Sequence, residues 1–321
     1  MLWNNEKKKS DYQSYHNEKA NQKQQKKYDS TILRDWTLRN FRSVLLLGSS
    51  AFGFVTMQAV FADSENDQTT RQPQTIKVDN IASYIEHTLL KADATVDQVT
   101  EVCKEAIEYK FAAVCVNPVH TALVAQLLRG TDVETCVVVG FPLGANTREM
   151  KVFEAVNAVQ LGANSIDVVA NIGLIKEKNY TKVGEELQAI KRAINVVKKD
   201  VTLKVIIECC LLTDEEKEAV TKTAAAYGVD FVKTSTGFST GGATVHDVEL
   251  MRKALTDYSH VKIKAAGGIR DFNTAAQMIQ AGANRIGASS GKTIVAQSKN
   301  SNGVATVLPN QNTSNPQTNK Y

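Results

Sequence analysis

Proline is scarce in this 321-residue chain, with five, and glycine reaches only 18. Collagen-like and Gly/Pro-rich low-complexity architectures are thereby ruled out. Cysteine is just as sparse: the five, at 103, 115, 136, 209 and 210, show no CxxC spacing and cannot all pair. That argues against both a zinc module and a disulfide scaffold. The five histidines (His16, His87, His120, His246 and His260) are scattered and offer no ligand set for a metal. Tryptophan is confined to Trp3 and Trp36, ahead of any foldable segment. An excess of one charge is lacking too. The net charge of +4 is gathered in residues 1–42, where ten Lys/Arg face five Asp/Glu, and the rest of the chain is close to neutral. Nothing in that remainder calls for a nucleic-acid partner.

What is present is an ordinary apolar share, 43% hydrophobic, in an uneven arrangement. Residues 1–42 form a basic segment whose first thirty positions are Lys, Gln, Asn, Ser and Glu with almost no aliphatic side chains. Such a stretch cannot bury enough apolar surface to offset its ordering entropy, so disorder is expected. Residues 43–62, SVLLLGSSAFGFVTMQAVFA, are uncharged, preceded by Arg34, Arg39 and Arg42, and end in Val-Phe-Ala. They read as a secretory signal or a membrane anchor, with an amphipathic appendage as the alternative. Residues 63–78 are expected to be a linker, 79–296 one folded domain, and 297–321 a loose polar tail.

Within 79–296, short apolar runs alternate with amphipathic stretches of helical length. Strands are expected near 83–89, 112–117, 135–141, 165–172, 203–209, 230–235, 261–266 and 285–289. Helical periodicity fills 95–110, 119–129, 147–161, 181–198, 213–227, 244–256 and 273–281. Thr213 with Glu216 makes a capping box, and Gly162, Gly228 and Gly282 follow helix ends. Strict β-α alternation implies a parallel α/β sheet, and a count of eight favours closure into a (β/α)8 TIM barrel. A doubly wound open sheet is the alternative, weakened because no GxGxxG follows the first strand.

In such a barrel, reactive groups sit at the carboxyl ends of strands and alternate residues point inward. Asp167 shares parity with Ser165 and Val169, Lys233 with Phe231 and Ser235, Lys264 with Lys262 and Ala266, and Lys204 with Glu208. Turned outward, Lys233 and Lys264 would be buried beneath helices without partners, which is costly. Turned inward they give a polar lumen, either as a satisfied ion network or as a reactive centre. A lysine attacks a carbonyl only as the neutral amine, and a second ammonium with partial desolvation brings its pKa from about 10.4 towards about 7–8. The product is a Schiff base whose protonated imine is an electron sink, with a carboxylate moving protons. No metal and no cofactor is required.

Glycine-rich turns follow the last three strands, at Gly237, at Gly267 and Gly268, and beside Ser289 and Ser290. Exposed backbone N–H groups there suit a phosphate, although tight turns alone also use glycine. Cys115 shares parity with Ala113 and Asn117 near the end of the second strand. It reads either as inert packing or as a target for aldehyde products.

The stretches VCVNP (114–118), GFPLGAN (140–146), NSIDVVANIG (164–173), LKVIIECCLLTDEE (203–216), DFVKTSTGFSTGGAT (230–244), KAAGGIRD (264–271) and RIGASSG (285–291) strongly resemble deoxyribose-phosphate aldolases of the bacterial type. The resemblance runs from about Ile81 to Val295. It implies a class I aldolase on a (β/α)8 barrel that reversibly cleaves 2-deoxy-D-ribose 5-phosphate into D-glyceraldehyde 3-phosphate and acetaldehyde. Lys233 resembles the Schiff-base lysine, Lys264 the second lysine beside it, and Asp167 the proton donor and acceptor. Gly237, Gly267, Gly268, Ser289 and Ser290 resemble the phosphate contacts, and Thr88 and Thr236 look like substrate or relay neighbours. The partners implied are a phosphosugar and aldehydes; self-association stays open. One departure is Glu86-His87-Thr88, where the family usually carries Asp-His-Thr. Another is the N-terminus, since family members are cytoplasmic enzymes and residues 43–62 point to export or membrane contact. Two competing expectations follow: a Schiff-base aldolase for another sugar phosphate, and an exported or anchored binding scaffold that retains the barrel.

Overall fold

The computed structural model describes residues 74–307. The expected basic segment and the signal-like stretch 43–62 lie outside the described residues. Among the described residues, no helix is long and apolar enough to cross a membrane.

After a short first strand, β1 (Gln74–Lys77), eight strands alternate with helices. These are β2 (Ile85–Leu89), β3 (Ala113–Val116), β4 (Glu134–Val139), β5 (Ser165–Val169), β6 (Thr202–Ile206), β7 (Phe231–Lys233), β8 (Lys262–Ala266) and β9 (Arg285–Ala288). Each is parallel to its neighbours, and β2 pairs with both β3 and β9, closing the barrel. The main helices are α1 (Val96–Tyr109), α2 (Thr121–Leu127), α3 (Arg148–Gln160), α4 (Ile172–Lys176), α5 (Tyr180–Val197), α6 (Asp214–Ala226), α7 (Val245–Ala254), α8 (Phe272–Gln280) and α9 (Gly291–Asn300). The chain is a (β/α)8 TIM barrel, as the alternation implied.

Local chemistry starts the helices. Thr95 with Gln98, and Thr213 with Glu216, form reciprocal capping boxes at α1 and α6, while Thr147, Thr244 and Asp271 cap α3, α7 and α8. Each cap satisfies a backbone N–H that the helix leaves unpaired. The outward faces of the strands supply the layer beneath the helices: Val114, Val137, Ile166, Val168, Leu203, Val205, Val232, Ile263 and Ile286 are completely buried. Burying each such side chain is worth roughly 1.5–3 kcal/mol, so this layer holds the barrel closed.

Three expectations need correction. The fourth strand stops at Val169 rather than 172, because Asn171 turns back to accept a hydrogen bond from Leu174 N (3.2 Å) and opens α4. Helix α9 continues to Asn300, past the expected end of the domain at 296. Four of the last five residues of the expected linker form β1, which pairs antiparallel with β10 (Val304–Val307) inside the expected loose tail. Their composition is polar, but Ala305 is fully buried and Ile76 half-buried, which is enough to dock the ribbon.

Candidate active site

Strand alternation sends charged side chains into the lumen. Phe231 lies at its lower end, with the cationic groups of Lys204, Lys262 and Arg285 at 5.8, 5.6 and 6.0 Å from the ring centre. Above it Asp167 on β5, Lys204 on β6, Lys233 on β7, Lys264 on β8 and Glu86 on β2 converge, each at most 3% exposed. Lys233 Nζ and Lys264 Nζ donate to the same oxygen, Asp167 Oδ2, at 2.8 and 2.7 Å. Lys264 also donates to Glu86 Oε2 at 2.5 Å. Lys204 closes the network from below, 3.2 Å from Asp167 Oδ1 and 3.3 Å from Glu86 Oε1, and also donates to Ser165 Oγ. The two nitrogens that sequence parity paired therefore meet on one carboxylate oxygen.

Gly287 on β9 makes this convergence sterically possible. A Cβ there would stand 2.9 Å from Ala266 Cβ and 3.1 Å from Lys264 Cε, so any side chain would push on the lysine stem.

Burial alone would raise the pKa of Asp167, yet Lys204, Lys233 and Lys264 overcome it and hold the carboxyl well below the usual range. Glu86 is lowered in the same way, against burial, by Lys204 and Lys264. Burial would discharge Lys264, but Asp167 and Glu86 push its pKa well above the ordinary value; Lys204 is raised likewise, by Asp167, Cys136 and Glu86. The lumen is an ionised cluster: a carboxylate able to accept protons, next to a fixed cation.

These shifts carry a pH signature. For Asp167 and Glu86 the unfolded chain takes up protons first, so their stabilisation is lost as pH falls below about 4. For Lys204 and Lys264 the folded pKa is raised, so their stabilisation is complete below about 10.4 and lost above it. Glu134, Glu186 and Glu208, pushed up by burial, offset part of the acid limb. Burial also raises the thiols of Cys103, Cys136 and Cys209, whose contribution is lost as pH rises past the ordinary thiol value. Urea unfolding across pH is therefore expected to show a plateau from about pH 5 to about pH 8 with losses on both sides. Stability that rises on acidification from 5 to 3 would contradict the assignment.

The glycine loops stand at the rim. Gly237, Gly267 and Gly268 all have positive φ, at 82°, 89° and 80°. Gly242, which the sequence reading did not single out, belongs with them: a Cβ there would fall 2.3 Å from Gly267 O. Ser290 precedes α9 without capping it through its side chain, Ser289 is exposed, and Gly268 is exposed on the turn after β8. Thr88 donates to its own strand, at Glu86 O (2.9 Å), and Thr236 is tied to Glu208, donating to Oε2 through Oγ1 and to Oε1 through its N–H (3.3 Å).

Sequence reasoning treated Glu86 as a mere departure and gave Lys204 no role; both are counter-ions of the central pair. Cys115 and Cys136 are in register on β3 and β4, and with Asp167 their ligand atoms lie within 4.8 Å of one another, a group that could hold a metal ion. Lys204 already stands 3.6 Å from Cys136 Sγ and 3.2 Å from Asp167 Oδ1, so a further cation would be repelled there. A hydrogen bond with Cys136 lowers the pKa of Cys115 against burial, whereas burial raises that of Cys136.

A closed (β/α)8 barrel with lysines and carboxylates joined in its lumen and glycine turns on its rim defines an aldolase-type lyase. A family described as DeoC/LacD family aldolase matches residues 78–297. The chain belongs to this aldolase family. It is 55% identical over 219 residues to the deoxyribose-phosphate aldolase of Clostridium tetani, covering 68% of this chain and 99% of that protein. To the enzyme of the same name from Geobacillus sp. it is 53% identical, covering 70% and 98%. Among solved structures, the deoxyribose phosphate aldolase from Aeropyrum pernix, described as a unique tetrameric structure, is similar with TM-score 0.63 and 32% identity, over 68% of this chain and 91% of that one.

Proposed function

We propose that this chain cleaves 2-deoxy-D-ribose 5-phosphate to D-glyceraldehyde 3-phosphate and acetaldehyde through a Schiff base on Lys233. The observation that carries the reading is the shared oxygen of Asp167, which places Lys233 beside a fixed cation and a proton acceptor at once. Of the two amines on that oxygen, Lys264 is the one held charged by two carboxylates, which leaves Lys233 as the nucleophile.

The freed Lys233 amine attacks the C1 aldehyde of the open-chain sugar, and loss of water from the carbinolamine leaves a protonated imine. Asp167, held ionised, takes and returns protons in these steps. Removal of the C3 hydroxyl proton then drives the C2–C3 electron pair into the imine, releasing D-glyceraldehyde 3-phosphate. The remaining enamine is protonated at C2 and hydrolysed to acetaldehyde, which restores the amine. The phosphate would be held by backbone N–H groups of the Gly237, Gly267 and Gly268 turns, with the Ser289 and Ser290 hydroxyls.

Borohydride added with deoxyribose 5-phosphate is expected to reduce the imine and leave a stable adduct, located by peptide mass mapping at Lys233. An adduct at Lys264 or Lys204, or faster turnover of ribulose or fructose phosphates than of deoxyribose 5-phosphate, would refute this reading.

A further inference from the structure

We propose that Ser235 binds substrate directly, reading the C4 hydroxyl of the sugar phosphate, the one on the carbon next to the phosphorylated position. This rests on the aldolase reading above and adds a specificity contact to it. Lys233 is followed by three consecutive hydroxyl residues, Thr234, Ser235 and Thr236, all buried. The outer two spend their hydroxyls on the protein. Thr234 Oγ1 donates to Ala266 O (3.2 Å) and accepts from Ala266 N (3.1 Å), which ties β7 to β8. Thr236 Oγ1 donates to Glu208 and accepts from Phe238 N (3.0 Å).

The middle one does not. Ser235 Oγ is buried, its residue is 0% exposed, and it has no hydrogen-bond partner among the described residues. A buried hydroxyl without a partner is unfavourable, and native structures keep one chiefly where a ligand or water completes it. Three other buried side-chain atoms of the described residues share this status. Glu86 Oε1 faces Lys204 at 3.3 Å, His87 packs outside the barrel wall against Phe111, and Thr221 lies on α6. Ser235 is the one of the four in the lumen that faces no ion partner.

Its position fits the middle of a bound chain. Alternation puts Ser235 on the same side as Lys233 and about 6.6 Å further towards the rim. There its Cβ lies 3.4 Å from where a Cβ on Gly267 would stand, and Gly267 in turn lies against Gly237 and Gly242. A substrate joined to Lys233 at C1 and held by the glycine rim through its phosphate must pass this hydroxyl. The carbon nearest the phosphate end that carries a hydroxyl is C4.

The test runs the reaction in the direction of condensation, with acetaldehyde and either of two acceptors. D-Glyceraldehyde 3-phosphate carries the hydroxyl that becomes C4–OH, and 3-oxopropyl phosphate lacks it. Ser235→Ala is expected to lower kcat/KM for the first acceptor about tenfold and to leave the second unchanged. An equal fall with both acceptors means a packing role and overturns the proposal, as does no fall with either. Borohydride trapping of acetaldehyde alone is the control for the underlying reading. If the unaltered protein fails to trap it, the aldolase assignment falls, whatever Ser235 does. Should Ser235→Ala not fold, Ser235→Cys keeps the size with a weaker donor, and the same selective loss is expected.

Discussion

Lys233→Leu is expected to lose cleavage almost completely, with kcat/KM falling on the order of 10⁴–10⁶, as for other enzymes deprived of their covalent nucleophile. The same change is expected to leave stability unaltered or slightly higher. Among the described residues Lys233 has one ion partner, Asp167 Oδ2 at 2.8 Å, and that oxygen keeps Lys264 at 2.7 Å while Oδ1 keeps Lys204 at 3.2 Å. Three buried ammonium groups face two buried carboxylates in the central network, so removing this one leaves two against two. Leucine fills most of the space of the lysine stem. A group placed for reaction rather than for packing behaves this way, since active sites hold interactions that stability alone would not select. Steady-state kinetics and the urea midpoint check the two halves separately. A variant that loses several kcal/mol of stability together with activity would make Lys233 a structural ion and sink the covalent assignment.

The barrel was legible in the sequence because its strands are buried on both sides. The outward residues must be apolar to meet the helices, so pairs such as Ile166 with Val168 and Leu203 with Val205 stand out, and the intervening Asp167 and Lys204 are then forced inward. Parity alone thus placed Lys233, Lys264 and Asp167 together. It could not pair Glu86 with Lys264, because β2 and β8 are 178 positions apart at that contact and only barrel closure sets their heights. From the sequence Glu86 was a departure; in the fold its longer reach bridges two lysines. The ribbon β1–β10 escaped for a different reason. Strands of four residues, one with a single half-buried side chain and the other with a single buried one, carry little periodic signal. Ser235 was unreadable as well, since nothing in Thr-Ser-Thr tells which hydroxyl the backbone will consume.

Asp167→Asn is the change with the largest expected cost to the fold. It leaves three ammonium groups around one carboxylate, Glu86, which reaches only Lys204 and Lys264. Breaking a buried ion cluster from one side typically costs 3–5 kcal/mol, because charge is stranded out of water, and about that loss is expected here. Activity should fall by about 10²–10⁴, the usual range for a removed proton acceptor. The pH dependence separates this mechanism from simple misfolding. In the parent, Lys204 and Lys264 are raised by their carboxylates, so stability declines above about pH 10.4. With Asp167 gone, desolvation and mutual repulsion favour the neutral amines in the folded state. The unfolded chain then binds more protons, and stability must rise with pH towards about 10. Urea midpoints at pH 7 and pH 9.5 decide between them: the raised thiols of Cys103 and Cys209 cost parent and variant alike over this interval, so the gap between the two should narrow as Asp167→Asn recovers part of its loss. A variant whose deficit is the same at both values would show that the aspartate acts through packing, and that the three lysines are not held by its charge.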